Sequence, residues 1–272
     1  MEVRATVIVD NKSREGLPGE WGLCIYIEKD GKKILLDAGA SDLFVTNAEK
    51  LKIALDQVDM AVLSHAHYDH ANGMRAFLKQ NQKANFYLRE SAAENCYHKK
   101  KLFRKYIGIP KHILKEYPDR IVFAEGDLQI AEGVYLIPHK TEGLEMAGKR
   151  EKMYQKRKGR WYPDDFSHEQ SLVIRSDKGL VIFNSCCHGG AANVIREVGD
   201  TFPQEKVYAL IGGFHTHNKT EQEVRTLGAK IRKTGIEYVC TGHCTGEAAY
   251  AILKEELGDV LHPLQTGLIM EF

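Results

Sequence analysis

Four side chains able to bind a metal ion fall within six consecutive residues: His65, His67, Asp69 and His70. They follow an apolar run at 59–63 and Ser64, so a short strand delivers them at its end. In extended chain alternate side chains point the same way, so His65 and His67 can share one ion. Asp69 and His70 open a helix, whose turn aims them at a second ion beside the first. Imidazole and carboxylate are the donors of catalytic Zn²⁺, Fe and Mn²⁺ sites. Zn²⁺ is the expected ion, one or two per chain, with Fe or Mn²⁺ as alternatives. Such an ion lowers the pKa of its water toward about 7, provides metal-bound hydroxide and polarises the bond to be broken. Asp69 would orient that water as well as bind metal. A merely solvated loop would not account for three histidines and an aspartate at the end of a buried-looking strand.

The elements that must hold these residues alternate along the chain. Strands are expected at 3–9, 22–28 and 33–37, the last two joined by the turn Lys29-Asp30-Gly31-Lys32. A helix follows at 41–55, then the strand into the histidine cluster, a helix at 72–79 and a strand at 85–88. The lysine-rich segment 91–117 reads as helix, strands return at 121–123, 128–130 and 134–138, and 141–165 reads as a long polar loop. A second hairpin at 170–175 and 179–184 leads into helix, strand, helix, strand and helix, and a last strand closes the chain at 268–272. Each half thus runs from a hairpin into strand–helix units and places histidines after a strand. That pattern suits one α/β domain over 1–272, two packed sheets with helices outside, carrying a helical and basic insertion at about 91–165 near the site.

Other residues can serve this chemistry. Asp37, at a strand end, can accept the spare N–H of a ligating histidine and fix its tautomer, or be a turn aspartate before Gly39. His215 follows Gly212-Gly213, where backbone can approach a ligand closely, and can protonate a leaving group. His217 is better read as an exposed loop histidine.

The run Ser64-His65-Ala66-His67-Tyr68-Asp69-His70 resembles the signature loop of the metallo-β-lactamase superfamily, and Leu35-Leu36-Asp37-Ala38-Gly39 its earlier Asp-x-Gly motif. Segments 169–174, 185–189, 212–215 and 241–246 are similar to a branch named for dihydropterin-(ribofuranosyl)aminobenzene-phosphate synthase. The resemblance implies a four-layer αββα sandwich with the metal site at one edge of its sheets. It makes His65 and His67 ligands of a first ion and Asp69, His70 and His243 ligands of a second. A third histidine should complete the first set. His188 is preferred, and His168, just before a strand, is its competitor. Cys186 stands where many members carry a bridging aspartate and is a further candidate ligand. A structural zinc site made of Cys186, Cys187, His188, His243 and Cys244 is disfavoured, because such sites usually draw ligand pairs such as C-x₂-C.

Composition narrows the function. A net charge of +1 gives no drive toward nucleic acid or membrane, and no stretch has the roughly 18 apolar residues of a membrane span. The start lacks a signal-peptide pattern and the six cysteines read as free thiols, so a cytoplasmic protein is expected. The basic stretches at 99–115 and 149–160 are either solvated faces or a rim attracting an anionic substrate. The resulting expectation is a metal-dependent hydrolase acting on a small anionic, phosphoester-like molecule. The rivals are an iron-dependent redox or oxygenase protein on the same scaffold and a non-catalytic metabolite-binding protein. Oligomeric state is left open by the sequence.

Overall fold

A computed structural model describes residues 2–272. Two seven-stranded sheets pack face to face. The first has the order Ile269–Glu271, Val3–Val9, Cys24–Lys29, Lys32–Leu36, Met60–Val62, Asn85–Arg89, Ile121–Ala124. The second runs Leu261–Pro263, Tyr238–Thr241, Val207–Gly212, Gly179–Phe183, Gln170–Ser176, Val134–Pro138, Leu128–Ala131. Each joins an antiparallel hairpin half to a parallel half, as the repeated hairpin-then-strand–helix pattern of the sequence predicts.

Side-chain alternation builds three apolar layers from these strands. In Cys24–Lys29, Ile25 and Ile27 enter the core between the sheets, while Cys24 and Tyr26 enter the core beneath the outer helices. In the second sheet Val181, Phe183, Ala209 and Ile211 face inward, and Ile182, Leu210 and Val239 face outward. Helices Leu43–Lys50 and Met74–Gln80 cover the first sheet, and Ala191–Thr201, Glu221–Lys233 and Glu247–Leu257 cover the second. The result is the expected four-layer sandwich. Among the described residues no helix is long and apolar enough to cross a membrane.

The segment 91–165 differs from the expected helical insertion. Residues 121–138 supply strands to both large sheets, and the remainder includes a separate four-stranded sheet. Its strands are Arg160–Pro163, Met153–Arg157, Cys96–Lys99 and Arg104–Tyr106, and its helices, Ile113–Glu116 and Leu144–Arg150, are short. Cross-strand aromatics hold it: Tyr97 lies 5.4 Å from Tyr106 and 4.9 Å from Trp161, and Arg104 caps Trp161 at 4.4 Å. The lysines favour helix over strand, but that weak local preference is overridden by pairing between strands some fifty residues apart, beyond the reach of local periodicity. Lys158 and Gly159, both at positive φ, turn the hairpin inside what reads as a polar loop. The helix expected at 72–79 is found at Met74–Gln80, and a separate short helix, Tyr68–Ala71, precedes it and carries Asp69 and His70.

The carboxyl ends of both parallel halves meet at one edge, where open α/β sheets commonly bind ligands. Gln170 links the sheets there, its backbone N–H donating to the Ser64 carbonyl at 2.8 Å and its amide to the Leu63 carbonyl at 2.8 Å. Gly73, between the two short helices, presses this edge against the Asp37 turn. A Cβ on it would lie 2.1 Å from the Ala38 carbonyl oxygen and 2.6 Å from the Phe44 ring. Gly73→Ala is therefore expected to destabilise the protein by about 1–3 kcal/mol through overpacking, read as a lower urea midpoint at unchanged m-value.

Candidate metal centre

Both sheets contribute donors to this edge. From the first, the strand Met60–Val62 feeds Ser64 and His65, and His67 starts the helix Tyr68–Ala71 that carries Asp69 and His70. From the second, Gly179–Phe183 leads to Cys186 and His188, Val207–Gly212 to His215, and Tyr238–Thr241 to His243 and Cys244. Asp37, Cys187, His215 and His243 all hold left-handed backbone despite their side chains. Such strain, of order 1–3 kcal/mol per residue, clusters where side chains must be aimed.

One set of donors is purely imidazole. His65, His67 and His188 bring ring nitrogens within 4.8 Å of one another. The Nε2 atoms of all three are buried without a hydrogen-bond partner. An unpaired buried polar atom costs about 1–3 kcal/mol, so three facing one another fit a cation well. Burial and the neighbouring imidazoles push His65 and His67 well below the usual histidine pKa, into the neutral form that ligates. The other nitrogens fix the rings: His65 Nδ1–H donates to Ser64 Oγ at 2.9 Å, and His188 Nδ1–H donates to the buried Glu169. Glu169 also binds the His188 backbone N–H and, at 2.5 Å, His139 Nε2, whose ring reaches Glu197 at 3.3 Å. His168 has no free nitrogen: Nδ1 accepts the Ala66 N–H at 3.1 Å and Nε2 lies 3.2 Å from Asp164. It positions the ligand loop, while His188 joins the imidazole set.

The second set is mixed. His70 Nδ1–H donates to Asp37 at 2.8 Å, which turns its Nε2 toward His243 Nε2 at 3.1 Å and Cys186 Sγ at 3.4 Å. Burial opposes a charge on His70, but Asp37 and Asp69 outweigh it and raise its pKa to about 9; burial lowers His243 to about 4. The proton therefore lies on His70, between rings that a cation would bridge. Asp69 Oδ2 is 3.9 Å from His70 Nε2 and 3.7 Å from His243 Nε2, and accepts Trp21 Nε1–H at 3.0 Å. His243 Nδ1–H donates to Asn11 Oδ1 at 2.9 Å. Cys244 Sγ lies 3.3 Å from Cys186 Sγ.

These sets open on a cavity of about 290 Å³, lined also by Trp21, Lys100, Lys105 and Glu151. His215 stands at its wall with its ring 4.7 Å from His188. Burial opposes its charge, but Cys244 and Glu151 raise its pKa to about 9. His217 is exposed at the mouth, as expected. The disfavoured five-residue zinc set does not converge. Cys187 turns away to donate to the Asn184 carbonyl and packs under the outer helices, while His188 faces the imidazole set. Sequence reasoning missed Asn11, Trp21, Glu151 and the carboxylate–imidazole chain through Glu169, and named Cys244 only within the disfavoured five-residue zinc set. Only Glu169 and Cys244 carried a signal, each lying within a branch-like segment next to a histidine.

The sequence model of the metallo-β-lactamase superfamily matches residues 20–146. Tm1679, a metal-dependent hydrolase of the β-lactamase superfamily, superposes with a TM-score of 0.86 at 29% identity over 99% of both chains. The 7,8-dihydropterin-6-methyl-4-(β-D-ribofuranosyl)-aminobenzene-5′-phosphate synthase of Methanocaldococcus jannaschii is 27% identical, across 91% of this chain and 88% of its own. The metallo-β-lactamase fold protein YhfI from Bacillus subtilis shares the fold at a TM-score of 0.61 and 10% identity, covering 100% of this chain and 99% of its own. The histidine loop lies within the matched stretch, and the chain superposes along almost its whole length on Tm1679, so in its histidine loop and in its fold it is similar to the metallo-β-lactamase superfamily.

Proposed function

We propose that the protein is a metal-dependent hydrolase of a small, anionic, phosphoester-like substrate. The observation that carries this reading is the trio of buried, unpaired Nε2 atoms on His65, His67 and His188, opening on a cavity with lysines at its rim. In this reading those three residues hold one ion and Asp69, His70 and His243, with Cys186, hold a second. Zn²⁺ suits both sets, and Fe suits them better than Mn²⁺ because of the thiol. When bound, the metal supplies Lewis acidity and an acidified water.

The chain's own residues would do the rest. Asp69, held by Trp21, orients the attacking water through its remaining lone pairs. His215, protonated at neutral pH and steadied by Glu151 at 3.6 Å, hands a proton to the departing oxygen. Lys100 and Lys105 attract the substrate's negative end from the small sheet. A volume near 300 Å³ suits a metabolite rather than a folded polymer. A synthase activity like that named for the Methanocaldococcus jannaschii relative is the second reading, favoured by similarity over 91% of this chain. Its named product also carries a phosphate, so the lysine rim serves either reading.

A panel of phosphomonoesters, phosphodiesters, thioesters and lactones tests the hydrolase reading. Metal-dependent turnover of a phosphoester supports it; turnover of none, with synthase activity present, overturns it. His67→Ala is expected to lower metal content by elemental analysis and abolish hydrolysis; retention of both would remove His67 from the site. Glu169→Gln keeps the shape but weakens the hold on His188 Nδ1, and is expected to reduce metal affinity about 10–100-fold in a chelator competition. Lys100→Ala and Lys105→Ala should each raise KM about fivefold, roughly 1 kcal/mol, with kcat little changed and the effect fading in high salt.

A further inference from the structure

Cys244 is no part of the donor pattern that the superfamily resemblance implies, yet the fold makes room for its sulfur. A Cβ on residue 213 would lie 2.5 Å from Cys244 Sγ, so the glycine at that position is what lets the sulfur reach the site. The His215 backbone N–H donates to the same sulfur at 3.3 Å, which favours an electron-rich thiolate there. Cys186 Sγ approaches it to 3.3 Å and is itself 3.4 Å from His70 Nε2. Donor atoms of Cys186, His243 and Cys244 all lie within 4.8 Å of one another. Both thiols are almost fully buried against protein but border the cavity. The other four cysteines do not take part: Cys24, Cys96, Cys187 and Cys240 belong to the apolar cores.

We propose that Cys244 is a metal ligand, paired with Cys186 and His243 in a thiolate-rich half-site beside the imidazole-only one. The proposal rests on the reading that this centre holds metal. Two sulfur donors select a borderline or soft divalent ion, Zn²⁺, Co²⁺ or Fe²⁺, and disfavour Mn²⁺ and Mg²⁺, which take oxygen. Each thiol gives up its proton to solvent on ligation, so filling this half-site is a proton-releasing step. The two half-sites then differ in kind. One presents three neutral nitrogens and leaves its ion fully charged; the other cancels the formal charge of a divalent ion with two thiolates.

The test is an anaerobic titration of chelator-stripped, reduced protein with Co²⁺, followed by thiolate-to-cobalt charge-transfer absorption in the near ultraviolet. The wild type is expected to develop this band, Cys244→Ser and Cys186→Ser to retain about half of it, and the double variant none. A Cys244→Ser protein with the full band overturns the proposal and leaves the metal reading intact. A wild type that binds no cobalt overturns both. Because the variants could fail to fold, zinc-edge X-ray absorption of the wild type gives an independent answer. Two sulfur neighbours per chain are expected, and one or none overturns the assignment of Cys244.

Discussion

The Asp37 carboxylate is the point on which the site depends. It is fully buried, in left-handed backbone, and accepts four hydrogen bonds: Ser64 N–H at 2.7 Å, Ser64 Oγ–H at 2.7 Å, Ser185 Oγ–H at 2.6 Å and His70 Nδ1–H at 2.8 Å. A buried charge with no partners would be untenable, and these donors replace its water. They come from both halves of the sandwich. Ser64 ends a strand of the first sheet and Ser185 one of the second, so a single anion fixes the relative position of the two ligand loops. Through Ser64 Oγ the same anion also orients His65. A change at Asp37 would therefore loosen both donor sets together.

The same logic repeats around the centre. His65, His70, His188 and His243 each commit Nδ1 to an oxygen of Ser64, Asp37, Glu169 or Asn11, which leaves every Nε2 directed inward. Fixing the tautomer in advance removes a rotational cost from ion binding. The partners differ in charge. The imidazole set is backed by Glu169, which also carries His139, while His243 is backed only by a neutral amide. In the proposed reading Glu169 strengthens the all-nitrogen set, while the second set draws negative charge from Asp69, from Asp37 behind His70 and from the sulfurs.

Much of this was legible in the chain. Period-two apolar runs and turn residues pointed to two packed sheets with helices outside, and the family resemblance implied the four-layer order and the edge at which the donors gather. The preference for His188 over His168 agrees with the geometry, because His168 spends both nitrogens on Ala66 and Asp164. What sequence could not give depends on contacts between distant segments. Asn11 and His243 are 232 residues apart, and Trp21 and Asp69 are 48 apart, with nothing local to pair them. The four-stranded sheet was unreadable for the same reason, since its central pairing joins Cys96–Lys99 to Met153–Arg157.

That small sheet also separates the scaffold from its specificity. The two large sheets bring both donor sets to their edge with side chains buried in shared cores, so little there can vary without loss of the site. The small sheet is tied to the scaffold by buried Cys96 and by Gln155, which donates to Asp164, while aromatics and cation–π contacts hold its outer part, which presents His98, Lys100 and Lys105 over the cavity mouth. A face built this way can change its charge or reach without disturbing the ligands. One fold can thereby keep its metal chemistry and change its substrate. In this chain Lys100 and Lys105 stand over the mouth of a small cavity, and in the proposed reading that rim selects by charge and size before any chemistry begins.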